Sequence, residues 1–191
     1  MSLFKTIVAD YRRHAASASH RSMPALMTYR FGVWLKDRPR PVRAVGNKVY
    51  GVALLASEVV SGIFMDSSTE VGENLHFVHA GGINIHPATR IGDRVGLMHG
   101  VTLAMGVDEA APVIGNDVFI GANASVIGGV TVGDGARVAA NSLVLSDVPP
   151  GYLAIGVPAK AVPQIASLKS KKKKAPKDGE AAPSKDADAT G

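Results

Sequence analysis

No cysteine occurs among these 191 residues. That excludes disulfides, thiolate zinc sites and a cysteine nucleophile. Aromatic residues are scarce, at 5% against 46% hydrophobic residues in all. A chain this apolar buries a sizeable core, and a core so poor in rings is filled by aliphatic side chains. The chain opens without a continuous apolar run, because Lys5 and Asp10 interrupt its first ten residues, so no secretory signal is read there. The apolar stretch from Gly51 to Met65 is too short to span a bilayer and carries Glu58. The expectation is a cytoplasmic protein of one domain with a small appendage.

Charge is unevenly spread. Residues 1–64 hold ten Lys or Arg and three acids, residues 65–168 hold four and nine, and residues 169–191 hold seven and four. A basic end module on an acidic body, with no aromatic platform or nucleic-acid motif, argues against a nucleic-acid partner.

The most ordered signal lies between Ile114 and Val148. Aliphatic residues recur every six positions at Ile114, Ile120, Val126, Val132, Val138 and Val144. Small or β-branched residues stand four places after them, at Val118, Ala124, Val130, Ala136 and Ser142. Period six is neither the alternation of a lone strand nor the 3.6 of a helix. It is the hexapeptide repeat of a parallel β-helix, in which three hexads make one triangular coil. The aliphatic side chain points into the prism. Gly115, Gly121, Gly133 and Ala139, each just after an aliphatic residue, are expected to let the backbone turn sharply.

The same register extends back through Met65, Val71, Phe77, Ile85, Ile91, Leu97 and Leu103. The step from Phe77 to Ile85 is eight, an insertion of two near His79–Gly82. The step from Leu103 to Ile114 is eleven, so five residues bulge out within Ala104–Val113. Insertions in a repeat array gather on one rim, often the binding rim. Ahead of the repeats the chain reads as three helices. Ser2 caps the first. Ser22 caps the second, with Pro24 in its first turn. The third spans about Val42 to Phe64. Three regions follow: 1–64, a helical module that caps the first coil; 65–165, the β-helix; and 166–191, a disordered Lys-rich tail. Six lysines fall between Lys169 and Lys177. That run reads as a solvated end, and the one partner its charge fits is an anionic membrane surface, held weakly.

Register places His79 and His99 at equivalent positions on adjacent coils, two residues after Phe77 and Leu97. Ala122 and Ala140 continue the column. Two imidazoles above two alanines make a polar head on a groove of small residues. Imidazole is the side chain whose ordinary pKa suits removal of a hydroxyl proton at neutral pH, so His79 is the candidate general base. His99 is either a second catalytic group or an orienting one. His76 is expected to face solvent, and His86 to sit at a corner before Pro87. Four histidines in the body with no ligand spacing give no metal site.

The segments His79-Ala80-Gly81-Gly82-Ile83, Gly100-Val101-Thr102-Leu103, Ile114 to Val144 and Gly156-Val157-Pro158-Ala159-Lys160 resemble the serine acetyltransferase branch of the hexapeptide acyltransferases. The resemblance covers about residues 60–165. It implies a left-handed parallel β-helix, usually trimeric, with acetyl-CoA bound between neighbouring subunits and acetyl passed directly to an acceptor hydroxyl. His79 matches the family's catalytic histidine. Pantetheine would lie against Gly121, Ala122, Ala139 and Ala140, with Lys160 near a CoA phosphate. Three positions depart from the family pattern. Ala111 stands where a second histidine precedes proline, Val78 where an aspartate precedes the first histidine, and Phe64 near a further aspartate. Those carboxylates are understood to hold the amino group of serine. Together with the short helical start and Gly100–Thr102, these departures resemble the colanic-acid and capsule-type acetyltransferases more closely. The reading is therefore an acetyl-CoA-dependent O-acetyltransferase, a homotrimer or higher homo-oligomer, acting on a sugar hydroxyl of an exopolysaccharide or its precursor. The alternatives are a serine O-acetyltransferase of cysteine synthesis and a non-catalytic β-helix scaffold.

Overall fold

The hexad period becomes strands of two to five residues that stack coil on coil in the computed structural model, which describes residues 3–15, 20–107 and 109–164. The Lys-rich tail falls outside the described residues. Three helices come first: α1 (Leu3–Ala15), α2 (Met23–Lys36) and α3 (Arg40–Ser61). The first coil is β1 (Ile63–Met65), β2 (Glu70–Val71) and β3 (His76–Phe77). The second is β4 (Ile83–Ile85), β5 (Arg90–Ile91) and β6 (Gly96–Leu97). The third is β7 (Thr102–Ala104), β8 (Val113–Ile114) and β9 (Phe119–Ile120), and the fourth is β10 (Ser125–Ile127), β11 (Thr131–Val132) and β12 (Arg137–Val138). The last holds β13 (Leu143–Val144) and a closing antiparallel hairpin, β14 (Tyr152–Gly156) with β15 (Ala159–Pro163).

Three parallel sheets form the faces, in the orders β1-β4-β7-β10-β13, β2-β5-β8-β11 and β3-β6-β9-β12-β14, with β15 added at the end of the third. The fold is a mainly β parallel solenoid with an N-terminal helical region, as the period implies. All six aliphatic residues from Ile114 to Val144 are buried, and so are Val118, Ala124, Val130, Ala136 and Ser142 behind them.

Two sequence expectations change. The small residue after the aliphatic one is needed for close stacking of coils, and the sharp turn lies elsewhere. A side chain at Gly115 would run into the Asp134 carboxylate of the next coil; that carboxylate accepts the Asn116 N–H at 2.7 Å. The left-handed backbone falls three places after the aliphatic residue, at Asn74, Arg94, Asp117, Asn123 and Asn141. Asn and Asp tolerate that conformation best after glycine. The third helix also ends earlier than expected, at Ser61, because Gly62 adopts φ 63° and caps it. Phe64 therefore belongs to β1.

The helical module covers the open end of the solenoid. Ala25, Leu26 and Tyr29 of α2 join one core with Ile63, Met65, Leu75 and Phe77. The Tyr29 hydroxyl donates to the Thr69 carbonyl at 2.7 Å, and Arg30 Nη2 donates to the Gly72 carbonyl at 2.8 Å. Arg30 also pairs with buried Asp10 of α1 at 3.0 Å. Ser22 precedes α2 without a side-chain cap bond, and Pro24 sits in the first turn as expected. No helix among the described residues is long and apolar enough to cross a membrane.

Candidate functional site

The third face carries the histidine column. Phe77 pairs with Leu97, Leu97 with Ile120, Ile120 with Val138 and Val138 with Ala154. Two residues beyond these partners stand His79, His99, Ala122, Ala140 and Gly156. Backbone bonds keep the coils stacked there: Asn123 N–H donates to the His99 carbonyl and Asn141 N–H to the Ala122 carbonyl, both at 2.9 Å. The structure thus brings His79 and His99 together, with ring centroids 5.9 Å apart and planes inclined by 57°. His79 is exposed and His99 half-buried. Neither imidazole has a hydrogen-bond or ion-pair partner among the described residues.

The two-residue insertion shapes this corner. Gly81 and Gly82 have φ 107° and 67°, backbone that a side chain would strain. A Cβ on Gly62 would lie 3.0 Å from Gly81 Cα, so the end of α3 abuts the His79 corner. Next to His79, Val78 N–H donates to the Leu97 carbonyl at 2.9 Å. Phe64 points outward and is 46% exposed. The bulge within Ala104–Val113 is held by Gly106 N–H donating to the Ala110 carbonyl at 2.9 Å, with Ala111 half-buried beside buried Pro112.

The groove residues lie further down the same face. Ala140 is exposed, Ala122 and Ala139 are half-buried, and Gly121 is buried. A Cβ at Gly121 would lie 2.6 Å from the Ala140 nitrogen, which makes Gly121 first of all a stacking residue. Lys160 is exposed on β15 opposite Ile155, at the far end of the sheet from β3. Four strand spacings, about 19 Å, separate the His79 and Gly156 levels. Among the described residues no group of three or more His, Asp or Glu is placed to hold a metal ion.

The sequence reading missed one support of this site. His14 is buried on α1. Its Nε2 accepts the Phe77 N–H at 3.1 Å, so Nδ1 carries the proton and donates to the Asp10 carbonyl at 2.8 Å. The ring is neutral in this arrangement, and it ties α1 to the strand two residues ahead of His79. His76, expected in solvent, packs edge-on against His14 at 4.8 Å. Burial first, then the neighbouring His14 and Arg13, lowers His76 to about 4. Only the spacing of His14 from the apolar residues of α1 hinted at this; its partner 63 residues away did not show. His86 sits at its corner as a turn residue, its Nδ1 accepting the Ala88 N–H at 3.2 Å.

A triangular solenoid of hexads with an exposed histidine at a glycine-lined corner is the architecture of a hexapeptide-repeat transferase, and residues 111–146 match the family model of the bacterial transferase hexapeptide (six repeats). The serine acetyltransferase of Helicobacter pylori strain J99 is 35% identical over 144 residues, which span 72% of this chain and 79% of that protein. The soybean serine acetyltransferase complexed with serine superposes with a TM-score of 0.73 at 28% identity, over 84% of this chain and 70% of that one. A serine acetyltransferase in complex with CoA gives 0.67 at 28% identity, over 82% and 66%. The chain belongs to the hexapeptide-repeat acyltransferases of the serine acetyltransferase type.

Proposed function

We propose that this chain is an acetyl-CoA-dependent O-acetyltransferase with L-serine as its acceptor. The observation that carries this is the 35% identity to a serine acetyltransferase over 79% of its length. The relatives thus favour the serine alternative over the sugar acceptor expected from the sequence. Support also comes from the fold's likeness to enzymes seen with serine and with CoA. The reaction is written with His79 as general base. Its imidazole takes the proton of the acceptor hydroxyl, and the oxygen attacks the thioester carbonyl carbon. The C–S bond breaks and the thiolate leaves with the proton from the imidazolium. Backbone N–H groups near the Ala104–Val113 bulge are the donors proposed for the oxyanion. Ala122 and Ala140, with Gly121 and Ala139 beside them, leave room for pantetheine. Lys160 supplies a point charge for a CoA phosphate. The cytoplasm, where acetyl-CoA is made and used, is the proposed location.

A second reading keeps the sugar acceptor. Phe64, Val78 and Ala111 place no carboxylate or second imidazole where the family has them, and the column histidines lack a charged partner among the described residues. A serine ammonium would then find no counter-charge at those three positions, whereas a sugar hydroxyl needs none. This is also where the resemblance to capsule-type enzymes points. Thiol release from acetyl-CoA, followed with L-serine and with a panel of monosaccharides, separates the two. Saturable turnover with serine supports the first reading. Turnover with a sugar and none with serine overturns it.

A further inference from the structure

The helical module holds a cleft with uncompensated positive charge that acetyl transfer does not use. Small residues let α3 close on its neighbours. A Cβ on Gly46 would press into Leu35, and Ser57 and Ser61 are buried further along α3. A Cβ on Gly32 of α2 would lie 2.5 Å from the Tyr50 ring and 2.7 Å from Ser67 Cβ. Where the two helices meet the corner after β1, a cavity of about 320 Å³ opens, lined by Gly32, Lys36, Arg43, Asn47, Tyr50 and Ser67. That volume falls within the range of small-molecule sites, about 300–1,000 Å³. Two of the lining residues are cations and none is an acid.

The floor of the cleft is fixed. The Tyr50 hydroxyl accepts the Ser67 N–H at 3.0 Å and donates to the Asp66 carboxylate at 3.3 Å. That carboxylate also accepts the Ser68 N–H at 2.7 Å and the Ser68 hydroxyl at 2.6 Å, so the acid behind the floor is already engaged. Lys36 Nζ donates to the Ser67 carbonyl at 2.7 Å, which holds the ammonium at the cleft and leaves two of its three N–H donors. The α3 wall is different. Arg43 and Asn47 stand one turn apart, exposed, and neither side chain has a hydrogen-bond or ion-pair partner among the described residues. No acid stands in the first turn of α3. From Lys36 to Arg43 the chain carries four cations against Asp37.

A guanidinium and an ammonium on two helices around one cavity form a donor set for phosphate. The arginine fork binds two oxygens at once, and the lysine adds a point charge. A phosphate fills part of the volume, and Asn47 and Ser67 add groups that hydrogen-bond hydroxyls. The cleft is remote from the His79 corner. Ser67 lies between β1 and β2, whereas His79 lies between β3 and β4. About 28 Å of helix, at 1.5 Å per residue, separates Arg43 from Gly62, the end that abuts the His79 corner.

We propose that this cleft is a binding site for a phosphomonoester dianion, either free phosphate or the phosphate of a small hydroxylated metabolite, separate from the acetyl-transfer site. Arg43 and Lys36 hold the phosphate oxygens, and Asn47 meets whatever group they carry. The proposal stands whichever acceptor the enzyme uses.

Isothermal titration calorimetry on the full-length chain without CoA tests it, with inorganic phosphate and glucose 6-phosphate as probes. In potassium chloride of about 0.15 M, at least one probe is expected to bind saturably with a Kd below about 1 mM. Arg43→Gln is expected to weaken that binding by about tenfold or more, with a native far-UV circular dichroism spectrum, since Arg43 has no partner in the fold. Should that variant fail to fold, Lys36→Gln takes its place with the same loss expected. Lys160→Gln is expected to leave the affinity unchanged. Glucose 6-phosphate binding more tightly than phosphate, with Asn47→Ala removing the difference, supports a phosphorylated metabolite. Equal or weaker affinity supports free phosphate. No saturable heat with either probe, heat that added potassium chloride reproduces, or an affinity indifferent to Arg43→Gln overturns the site. Loss of binding in Lys160→Gln but not in Arg43→Gln overturns it too, in favour of the CoA groove.

Discussion

At the scale of single residues, two histidine pairs lie at β3, His14 with His76 and His79 with His99. His79 reaches solvent from a glycine corner, and His79→Ala is expected to lower the acetyl-transfer rate by roughly 10²–10⁴ with the fold intact. Steady-state thiol release beside a circular dichroism spectrum checks it, and unchanged turnover would move the base to His99. His14 and His76 are inward and neutral. Burial lowers both below the ordinary histidine value, His76 to about 4. Between about 4 and 6.5 the unfolded chain therefore binds more protons than the folded one. Their contribution is complete above about 6.5 and is lost as pH falls toward 4. Asp10, raised by burial despite Arg30, opposes this trend. Calorimetry should show a lower Tm at pH 5 than at pH 7, and His76→Phe should flatten that slope. Equal slopes in the two proteins would contradict this account.

At the scale of the element, the hexad gives up its inward positions to a reader of the sequence more readily than its corners. Ile120, Val126 and Val132 announce themselves by spacing and by kind, and the three sheets follow from them. The turn residues recur at a fixed place too, but as Asn74, Arg94, Asp117 and Gly135, too varied in chemistry to show as a repeat. Gly115 shows the cost of assigning a role from residue type alone, since its φ is ordinary and its lack of a side chain serves the neighbouring coil. Gly115→Val is expected to destabilise by about 1–3 kcal/mol through overpacking against Asp134, read as a lower urea midpoint. Gly135→Asn, at a left-handed position with nothing near its Cβ site, should cost less. The helices were harder to orient than the strands. The apolar residues of α3 are plain in the sequence, but which way they face depends on Gly46, Ser57 and Ser61 meeting the body. The histidine column was legible because register alone sets it. The His14 contact was not, because it joins segments that no local pattern links.

At the scale of the whole molecule, stability is a sum over neighbouring coils and the two ends. The first end is covered by α1 and α2, whose removal would bare Ile63, Leu75 and Phe77 and the edges of β1 and β3. A chain begun at Gly62 is therefore expected to aggregate, read by light scattering, while the full chain does not. The other end closes with the β14–β15 hairpin, the one antiparallel pairing among the described strands. Between these ends every strand pairs with its counterpart one coil earlier, as Leu103 does with Ile85 and Val144 with Val126. Partners are thus always recent in the chain. During synthesis the helical cap leaves the ribosome first and offers Ala25, Leu26 and Tyr29 as an apolar face to the first coil. Each new coil finds a finished template already waiting, so the solenoid can assemble vectorially, at the pace of translation, with the hairpin as its last act.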